Sequence, residues 1–467
     1  MVDKKEFDCA IIGAGPGGYV AAIKAAQEGL NVCLIEKEYL GGTCLNVGCI
    51  PTKTLIAHAE VLEKIHKASD FGIKVDGVSF DFEKIKKRKD SVLEGIRGSL
   101  EGLIKANQIT ILRGMGTFIS PRQIKVQGED NLVVDAKKVI IATGSVPFDI
   151  PAFPCDHKKI LNSTSVLELT KLPKKIAVVG GGYIGCEFAS LYRAFGVEVI
   201  ILEALPAILM TQPKTVQEEM TKIFTEKGIE IQCDVFVEKI DSKDSGVTIS
   251  LKGGTTVEAD LALVSVGRAI NTKGLGLEKT GVEVDEKGWI VVDDRMQTSV
   301  DDIYAIGDVT GKFMLAHVAS HQAIIAALNA TGKKAVMHYE AVPAVIFTHP
   351  EVATVGLSLE EALEKGYPAK LGSFPFQALG KAQATGDTEG FVQIVIDDKT
   401  GGVLGAAVIG KEASTLIAEM ALAIANELTV ECIFDTIHAH PTLPEAWMEA
   451  ALIANQTPIH FPPQRKK

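Results

Sequence analysis

The sequence has no excess of positive charge and no hydrophobic run long enough to span a bilayer. Its 59 Asp and Glu residues outnumber its 48 Lys and Arg residues, and the formal net charge is −11. This balance argues against a nucleic-acid partner and gives no basic face for a membrane. The start, Met1-Val2-Asp3-Lys4, leads directly into an apolar strand pattern, so we expect no signal or transit segment. We therefore expect a cytoplasmic protein, or one of the mitochondrial matrix if a transit peptide has been removed.

The sequence also lacks an array of closely spaced cysteines. Its eight cysteines are scattered, which suits a reducing compartment in which only special thiols react. Cys9, Cys33 and Cys186 lie inside apolar strand or helix patterns and are interpreted as core residues. We expect no metal site. At 467 residues, the chain should form about three domains.

Two cysteines differ from the others in their surroundings. Cys44 and Cys49 lie in a Gly-rich loop that runs into a predicted helix, with Pro51 in its first turn. A thiolate near a helix N-terminus is stabilised by the dipole and the free N–H groups, so Cys49 should be the more acidic thiol. The pair can close and reopen a small disulfide ring, which favours a redox role over two buried structural cysteines.

An internal repeat organises the first 275 residues. An apolar strand precedes each of two Gly-x-Gly-x-x-Gly motifs, an Ala-rich or apolar helix follows each, and a second strand ends in Glu. The offset between the units is constant at 167 residues; it relates Gly13, Gly15, Gly18 and Glu36 to Gly180, Gly182, Gly185 and Glu203.

The repeat predicts two dinucleotide sites. The first Gly makes a tight turn, the second lets backbone N–H groups reach a pyrophosphate, and the third lets helix and strand pack closely. Each Glu would accept hydrogen bonds from ribose hydroxyls. After Glu203 no basic residue precedes Lys214, so the second site favours NAD over NADP. At the first site we expect FAD, because a flavin can take electrons from a dithiol and pass them to a nicotinamide.

Three further strands end at residues that suit these sites. Val139 to Gly144 and Leu263 to Gly267 are short apolar strands that end in Gly. Ile303 to Asp308 ends in an acid at the strand's carboxyl end, where ligands bind in α/β sheets. Capping of the next helix is the alternative role of Asp308.

From about residue 339 the pattern becomes rich in strands around turn signals, which predicts an α+β domain without a nucleotide motif. Near its end, His440 precedes Glu445 by five residues, the arrangement of an oriented general base. A structural pair of histidines, His438 and His440, in a Pro-containing turn is the alternative.

Over essentially its whole length the sequence resembles the pyridine nucleotide–disulfide oxidoreductases of class I, and among them the dihydrolipoamide dehydrogenases. Gly41 to Lys53 and His438 to Glu445 match the two active-site signatures of that family. The resemblance implies oxidation of protein-bound dihydrolipoamide to lipoamide with reduction of NAD, through a Cys44–Cys49 redox disulfide and FAD. It also implies a homodimer that serves the lipoyl-bearing domains of 2-oxo acid dehydrogenase complexes or the H protein of glycine cleavage.

The resemblance also assigns roles to single residues. Cys44 would be the interchange thiol, Cys49 the thiol that faces the flavin, His440 the base and Glu445 its orienting partner. Lys53 would lie beside the flavin, paired with Glu187. The residues expected to hold FAD are Gly13, Gly15, Gly18, Glu36, Lys53, Gly144 and Asp308, and those expected to hold NAD are Gly180, Gly182, Gly185, Glu187, Glu203 and Gly267.

The departures from the family pattern are few. Thr52 and Pro444 stand where Ser is common in the family, and both are peripheral to the chemistry. The segment 316–322 lacks the acidic residues usual there, which puts in question only the detailed contacts and the tuning of the site. The alternative enzymes share the fold but do not fit the sequence. A glutathione-type reductase would need basic residues after Glu203, and a mercuric reductase would need a cysteine pair beyond Cys432. A flavin transhydrogenase would lack the pair of Cys44 and Cys49. The chain could also serve as a docking subunit of a large complex, but because its catalytic motifs are intact, this role would be added to catalysis and would not replace it.

The expected fold is α/β, with two Rossmann-like dinucleotide-binding domains and a C-terminal α+β dimerisation domain. We expect the FAD-binding domain at 1–148 and the NAD-binding domain at 149–275. A central segment, 276–340, should return to the FAD domain, and the interface domain should cover 341–467.

Overall fold

The computed structural model describes residues 3–462 and forms two compact units. The first unit contains the chain up to residue 150 together with 162–172 and 267–338. The second contains 151–161, 173–266 and the chain from 339. The predicted division into four segments remains a prediction.

The secondary structure is mixed throughout. The helices are α1 (Pro16–Gln27), α2 (Gly42–Val47), α3 (Cys49–His66), α4 (Phe82–Ala106), α5 (Tyr183–Ala194), α6 (Lys214–Glu226), α7 (Ala316–Ala330), α8 (Leu359–Glu364), α9 (Gly380–Thr385), α10 (Ala413–Ala425), α11 (Val430–Asp435) and α12 (Glu445–Ala454). The strands are β1 (Asp3–Ile12), β2 (Val32–Glu36), β3 (Thr110–Ser120), β4 (Gln123–Gly128), β5 (Asn131–Ile141), β6 (Ser145–Pro147), β7 (Ile160–Asn162), β8 (Lys175–Val179), β9 (Glu198–Leu202), β10 (Ile229–Gln232), β11 (Val237–Lys243), β12 (Gly246–Leu251), β13 (Thr256–Ala259), β14 (Leu261–Val264), β15 (Arg268–Ile270), β16 (Ile303–Ala305), β17 (Ala344–Ile346), β18 (Glu351–Gly356), β19 (Ala369–Pro375), β20 (Phe391–Asp397) and β21 (Val403–Gly410).

The first unit is built on a parallel sheet in which β1 lies between β2 and β5. β3 extends this sheet beside β2, and β16 extends it beside β5, both in parallel. The buried ends of these strands are apolar on both faces, as expected of a parallel sheet covered on both sides. α1 packs against α7 through small side chains, since Ala21, Ala22 and Ala25 are fully buried. This arrangement places the carboxyl ends of β1, β5 and β16 at one edge.

The second unit repeats this plan. Its strands follow the order β10-β9-β8-β14-β7, in which β10, β9, β8 and β14 are parallel and β8 has the position that β1 has in the first unit. α5 follows β8 directly, as α1 follows β1. A separate antiparallel sheet, β11-β12-β13, precedes β14.

The C-terminal part of the second unit is an antiparallel sheet in the order β17-β18-β21-β20-β19. α10 and α12 cover it and share one apolar core with its strands. Trp447 of α12 is fully buried, and its indole N–H donates to the carbonyl of Leu416 in α10 at 3.1 Å. This core fixes the start of α12, where Glu445 lies.

These elements confirm the predicted α/β fold with a C-terminal α+β domain. Cys9, Cys33 and Cys186 are fully buried, as predicted, and burial raises the pKa of the Cys9 thiol to about 12. The prediction of a loop at the cysteine motif was wrong in part, because Gly42–Val47 forms the short helix α2. In residues 3–462 no helix has the length and apolar character needed to cross a membrane.

Candidate active site

Cys44 and Cys49 lie on either side of a break between two helices. Cys44 is in the middle of α2, Gly48 ends that helix, and Cys49 is the first residue of α3. Both side chains are thiols in this structure, and a hydrogen bond joins them. That bond and burial raise the pKa of the Cys44 thiol, and the nearby Lys53 ammonium opposes the rise. The break thus brings together the two sulfurs and a positive charge.

Side-chain hydrogen bonds hold the two cysteine helices in place. The amide of Asn46 donates to the carbonyls of Leu40 and Gly42 at 3.0 and 2.8 Å. The hydroxyl of Thr52 donates to the carbonyl of Gly48 at 2.7 Å. Thr52, which stands where Ser is common in the family, therefore anchors the break between the helices.

The two glycine motifs have the same hydrogen-bond pattern. One carboxylate oxygen of Glu36 accepts the N–H of Ala14 at 2.7 Å, and the other accepts the N–H of Glu38 at 2.8 Å. Glu203 repeats this with Gly181 at 2.5 Å and Leu205 at 2.8 Å. The hydrogen bonds of the two motifs are therefore related by the same offset of 167 residues as their sequences. Each glutamate oxygen keeps a second lone pair, with which it can accept a ribose hydroxyl.

The three glycines of each motif occupy different environments. A methyl group on Gly18 would overlap the carbonyl oxygen of Gly13, and one on Gly185 would overlap that of Gly180. A methyl group on Gly182 would meet nothing within 4 Å. A methyl group on Gly15 would meet only the α-carbon of Gly42, at 3.9 Å. The third glycine therefore serves close packing, while the second leaves open space before a helix N-terminus, which fits a pyrophosphate.

Asp308 lies in a polar network within the first unit. The hydroxyl of Ser145 donates to its carboxylate at 2.5 Å, and the Arg268 guanidinium donates to the Ser145 hydroxyl at 2.6 Å. Arg268 also lies 3.8 Å from the Asp308 carboxylate. The alternative role for Asp308, capping of the next helix, is not observed, because Asp308 lies inside the 3-10 helix Gly307–Thr310 and neither that helix nor α7 has a side-chain cap. The network connects the paired strands β6 and β15 to Asp308.

Sequence reasoning missed Ser145 and Arg268, and it also missed the role of Gln322. The side chain of Gln322 is fully buried and accepts the N–H of Gly307 at 2.7 Å, next to Asp308. Gln322 belongs to the segment 316–322 that lacks the acids usual in the family. A neutral amide thus supports the loop that carries Asp308. Gly144, with φ of +68°, precedes Ser145 directly.

Glu187 and Gly267 are the predicted NAD-site residues that lie outside the second glycine motif. Glu187, in α5, is buried, and its carboxylate accepts the N–H of Phe347 at 2.9 Å within the second unit. Lys53 belongs to the first unit, and its pairing with Glu187 remains a prediction. Gly267 has φ of +131° and also belongs to the first unit, at a point where the chain passes between the units.

His440 and Glu445 form the hydrogen-bonded pair that the sequence predicts. Nδ1 of His440 lies 2.8 Å from one Glu445 oxygen, and the N–H of Thr442 donates to the other at 2.6 Å. Burial raises the pKa of Glu445, but the bonds from Thr442 and His440 outweigh it, and the pKa is lowered overall. Nε2 of His440 has no partner in residues 3–462, and the side chain is 78% exposed. A neutral His440 with its proton on Nδ1 therefore presents a free base.

The pair lies on an open face of the C-terminal domain. Ile437 is 97% exposed and Leu422 of α10 is 63% exposed. Large apolar side chains at such exposure favour coverage by a partner surface. In the part of the chain that the structure describes, no cluster of three or more His, Cys, Asp or Glu side chains is placed to hold a metal ion.

Family models match most of the chain. Residues 7–323 match "Pyridine nucleotide-disulphide oxidoreductase", and residues 342–451 match the dimerisation domain of the same family. The second match supports a homodimer.

Individual relatives agree with these matches. The chain is 52% identical over 460 residues to a dihydrolipoyl dehydrogenase of Chlamydia pneumoniae, which covers 98% of this chain and 99% of that one. It is 42% identical to the dihydrolipoyl dehydrogenase of Geobacillus stearothermophilus, over 98% of both chains. The crystal structure of LpdA from Mycobacterium tuberculosis superposes with a TM-score of 0.90 at 28% identity, covering 96% of this chain and 99% of that one.

These matches confirm the family resemblance that was inferred from the cysteine motif at 41–53 and the histidine motif at 438–445. They also confirm the predicted enzyme class and the expected cofactor pair, FAD and NAD. With both family models spanning most of its length, the chain belongs to the pyridine nucleotide–disulphide oxidoreductase family.

Proposed function

We propose that this protein is an NAD-dependent dihydrolipoyl dehydrogenase, which oxidises the dithiol of a lipoyl group carried by another protein. The observation that carries this proposal is the contact between the Cys44 and Cys49 thiols at the break between α2 and α3. A dithiol at this position can form a disulfide and be reduced again by exchange with a substrate dithiol. The dihydrolipoyl dehydrogenases among its relatives support this choice of substrate.

Two sets of residues would hold the cofactors. Gly13, Gly15, Gly18, Glu36, Gly144 and Asp308 would hold FAD, with Lys53 beside it. Gly180, Gly182, Gly185, Glu187, Glu203 and Gly267 would hold NAD. FAD bound there would supply the redox chemistry that connects the reduced cysteines to NAD.

The protein's own residues carry the thiol chemistry. Nε2 of His440 takes the proton of one substrate thiol while Glu445 holds the Nδ1–H. The substrate thiolate attacks the Cys44 sulfur of the Cys44–Cys49 disulfide, so a mixed disulfide forms and Cys49 leaves as a thiolate. The second substrate thiol attacks the substrate sulfur of the mixed disulfide and gives its proton to Cys44, which leaves as a thiol while Cys49 remains a thiolate. The substrate is oxidised to a cyclic disulfide, and the enzyme holds the two electrons on its cysteines.

The partners would be lipoyl-bearing domains of 2-oxo acid dehydrogenase complexes or the H protein of glycine cleavage. Because its dihydrolipoyl dehydrogenase relatives come from bacteria, we place the reaction in the cytoplasm. We also propose the four-segment domain division at 148, 275 and 340, with residues 276–340 belonging to the FAD domain.

A direct assay tests this function. Purified enzyme loaded with FAD should form NADH from dihydrolipoamide and NAD, and the Cys44→Ser variant should lose this activity. Cys432→Ser is the matched control, because Cys432 is an exposed free thiol outside the proposed site. NADPH-dependent reduction of glutathione disulfide in place of NADH formation would overturn the proposal.

A further inference from the structure

Arg268 is a largely buried cation whose hydrogen bonds converge on a single serine. Its side chain is only 9% exposed. Nε donates to the Ser145 hydroxyl at 2.6 Å, and Nη2 donates to the Ser145 carbonyl at 2.8 Å. The two bonds form a fork that suits a guanidinium, because its N–H groups are held in one plane. The antiparallel pairing of β15 with β6 places Arg268 opposite Pro147 and within reach of Ser145.

These bonds determine the direction in which the Ser145 hydroxyl donates. A guanidinium can only donate, so the hydroxyl oxygen of Ser145 must accept the Nε–H of Arg268. The single hydroxyl proton of Ser145 is then directed to Oδ2 of Asp308, at 2.5 Å. Nε of Arg268 itself lies 3.8 Å from the same carboxylate oxygen. Asp308 therefore accepts one directed hydrogen bond and lies beside one cation.

Different contacts hold the backbone and the side chain of Asp308. The N–H of Gly307 donates to the buried side chain of Gln322 at 2.7 Å, and the N–H of Gly311 donates to the Asp308 carbonyl at 3.0 Å. These bonds fix the path of the chain, whereas Ser145 and Arg268 fix the orientation of the carboxylate. The second carboxylate oxygen, Oδ1, accepts no hydrogen bond from residues 3–462. It can therefore accept a hydroxyl of FAD.

We propose that Arg268 is a positioning residue for FAD: through Ser145 it holds the Asp308 carboxylate in one orientation, with Oδ1 presented to a hydroxyl of the cofactor. This inference rests on the proposed function, in which Asp308 holds FAD. Without Arg268, the Ser145 hydroxyl can turn to another acceptor, and Asp308 loses the one cation within 4 Å of it in residues 3–462. A carboxylate that can rotate must lose this freedom when FAD binds, so the cofactor should bind more weakly.

Titration of the FAD-free protein with FAD tests this role, because the Kd for FAD is measured without turnover. Arg268→Met and Ser145→Ala should each raise the Kd by about tenfold, as expected for the loss of one hydrogen bond to a charged group. Arg268→Lys keeps the positive charge, but a single nitrogen cannot replace two donors held in one plane, so the Kd should stay raised. Ser145→Ala keeps the cation in place and tests the same contact even if Arg268→Met does not fold.

A double-mutant cycle separates positioning from a general effect on folding. Asp308→Asn removes the charge that Arg268 holds in place. If Arg268 acts through Asp308, then adding Arg268→Met to Asp308→Asn should change the Kd for FAD by less than about twofold. A purely structural role of Arg268 would weaken FAD binding equally with and without Asp308→Asn.

Arg193→Met is the matched control. Arg193 lies in α5 of the second unit, and its Nε donates to the carbonyl of Lys227 at 2.7 Å. The change therefore removes an arginine that bonds to a backbone carbonyl, as Arg268 does, but it leaves Asp308 untouched. The Kd for FAD should stay at the wild-type value.

The outcomes separate the two proposals. A wild-type Kd for FAD in Ser145→Ala or in Arg268→Lys, or equal losses of affinity with and without Asp308→Asn, would overturn the role of Arg268. If the wild type bound FAD with the expected dependence on Arg268 but did not oxidise dihydrolipoamide, the proposed function would fail and the role of Arg268 would stand.

Discussion

The second and third glycines of the motif that we propose to hold NAD should respond in opposite ways to the same substitution. Gly182 precedes α5 with φ of −73° and ψ of −177°, which alanine adopts without strain, and a methyl group there meets nothing within 4 Å. In Gly182→Ala, the gain from a less flexible unfolded chain and the loss of a preferred N-cap residue oppose each other. The free energy of unfolding should therefore change by less than about 1 kcal/mol.

The methyl group of Gly182→Ala would instead occupy the space that fits the pyrophosphate. Loss of one hydrogen bond to a charged group is worth about 1.5–3 kcal/mol, so KM for NAD should rise by roughly 10- to 100-fold. In Gly185→Ala, the methyl group would overlap the carbonyl of Gly180 and lie 2.8 Å from the hydroxyl of Ser265. α5 must then shift away from β8, at a cost of about 1–3 kcal/mol.

Thermal unfolding and steady-state kinetics with varied NAD distinguish these effects. Gly98→Ala is the matched control, because Gly98 lies exposed in α4 and a methyl group there meets nothing within 4 Å. It should leave KM unchanged and stabilise the protein by about 0.5–1 kcal/mol. A wild-type KM in Gly182→Ala would refute the placement of the pyrophosphate at this loop. Equal stability of Gly182→Ala and Gly185→Ala would refute the packing argument.

Three other predictions concern the cysteines, the choice of nucleotide and the carboxylate beside the base. Cys49→Ser should bind FAD but lose the long-wavelength absorbance of the partly reduced enzyme, whereas Cys44→Ser should keep it; reversed spectra would exchange the two roles. Glu203→Ala with an Arg placed nearby should shift turnover from NAD towards NADP, because a charge repulsion is lost and an attraction is gained; equal wild-type turnover with both nucleotides at low concentration would contradict this. Burial raises the pKa of Glu445, but the hydrogen bonds that its carboxylate accepts lower it overall, so the stability that it contributes is present above its ordinary value of 4.5 and is lost as the pH falls through the depressed value. Glu445→Gln should therefore unfold more easily than the wild type at neutral pH, and the difference should vanish in acid; a difference that stays constant with pH would show that the pKa is not depressed.

Local sequence pattern was enough to predict the nucleotide folds. The motif at Gly13 and its repeat at Gly180 each contain the turn, the helix start and the acid at the second strand, all within 24 residues. Because these features are local, the structure reproduces them down to the bonds that Glu36 and Glu203 accept.

Contacts between distant segments could not be predicted in the same way. Ser145 bonds to Asp308 and to Arg268 across 163 and 123 residues, and no short pattern links these positions. α2 was missed because glycines favour a loop, whereas the Asn46 side chain stabilises the turn by bonding to carbonyls at Leu40 and Gly42. The bond between His438 and Glu419 joins residues 19 positions apart and could not be predicted for the same reason.

We predict that each active site takes its cysteines from one chain of the homodimer and its base from the partner chain. The dimerisation-domain match and the exposure of His440 support this claim, because an open base needs a covering surface to exclude water. In a symmetric dimer the arrangement is reciprocal, so both sites have the same composition.

Refolding a mixture of two inactive variants tests this claim most directly. Cys44→Ser and His440→Gln chains, unfolded and refolded together in equal amounts, should form heterodimers in which one site has both wild-type residues. After random pairing, about a quarter of all sites should be active. If each site were built from a single chain, every site would keep one lesion. Heterodimers that form but regain no dihydrolipoamide oxidation would contradict the shared site.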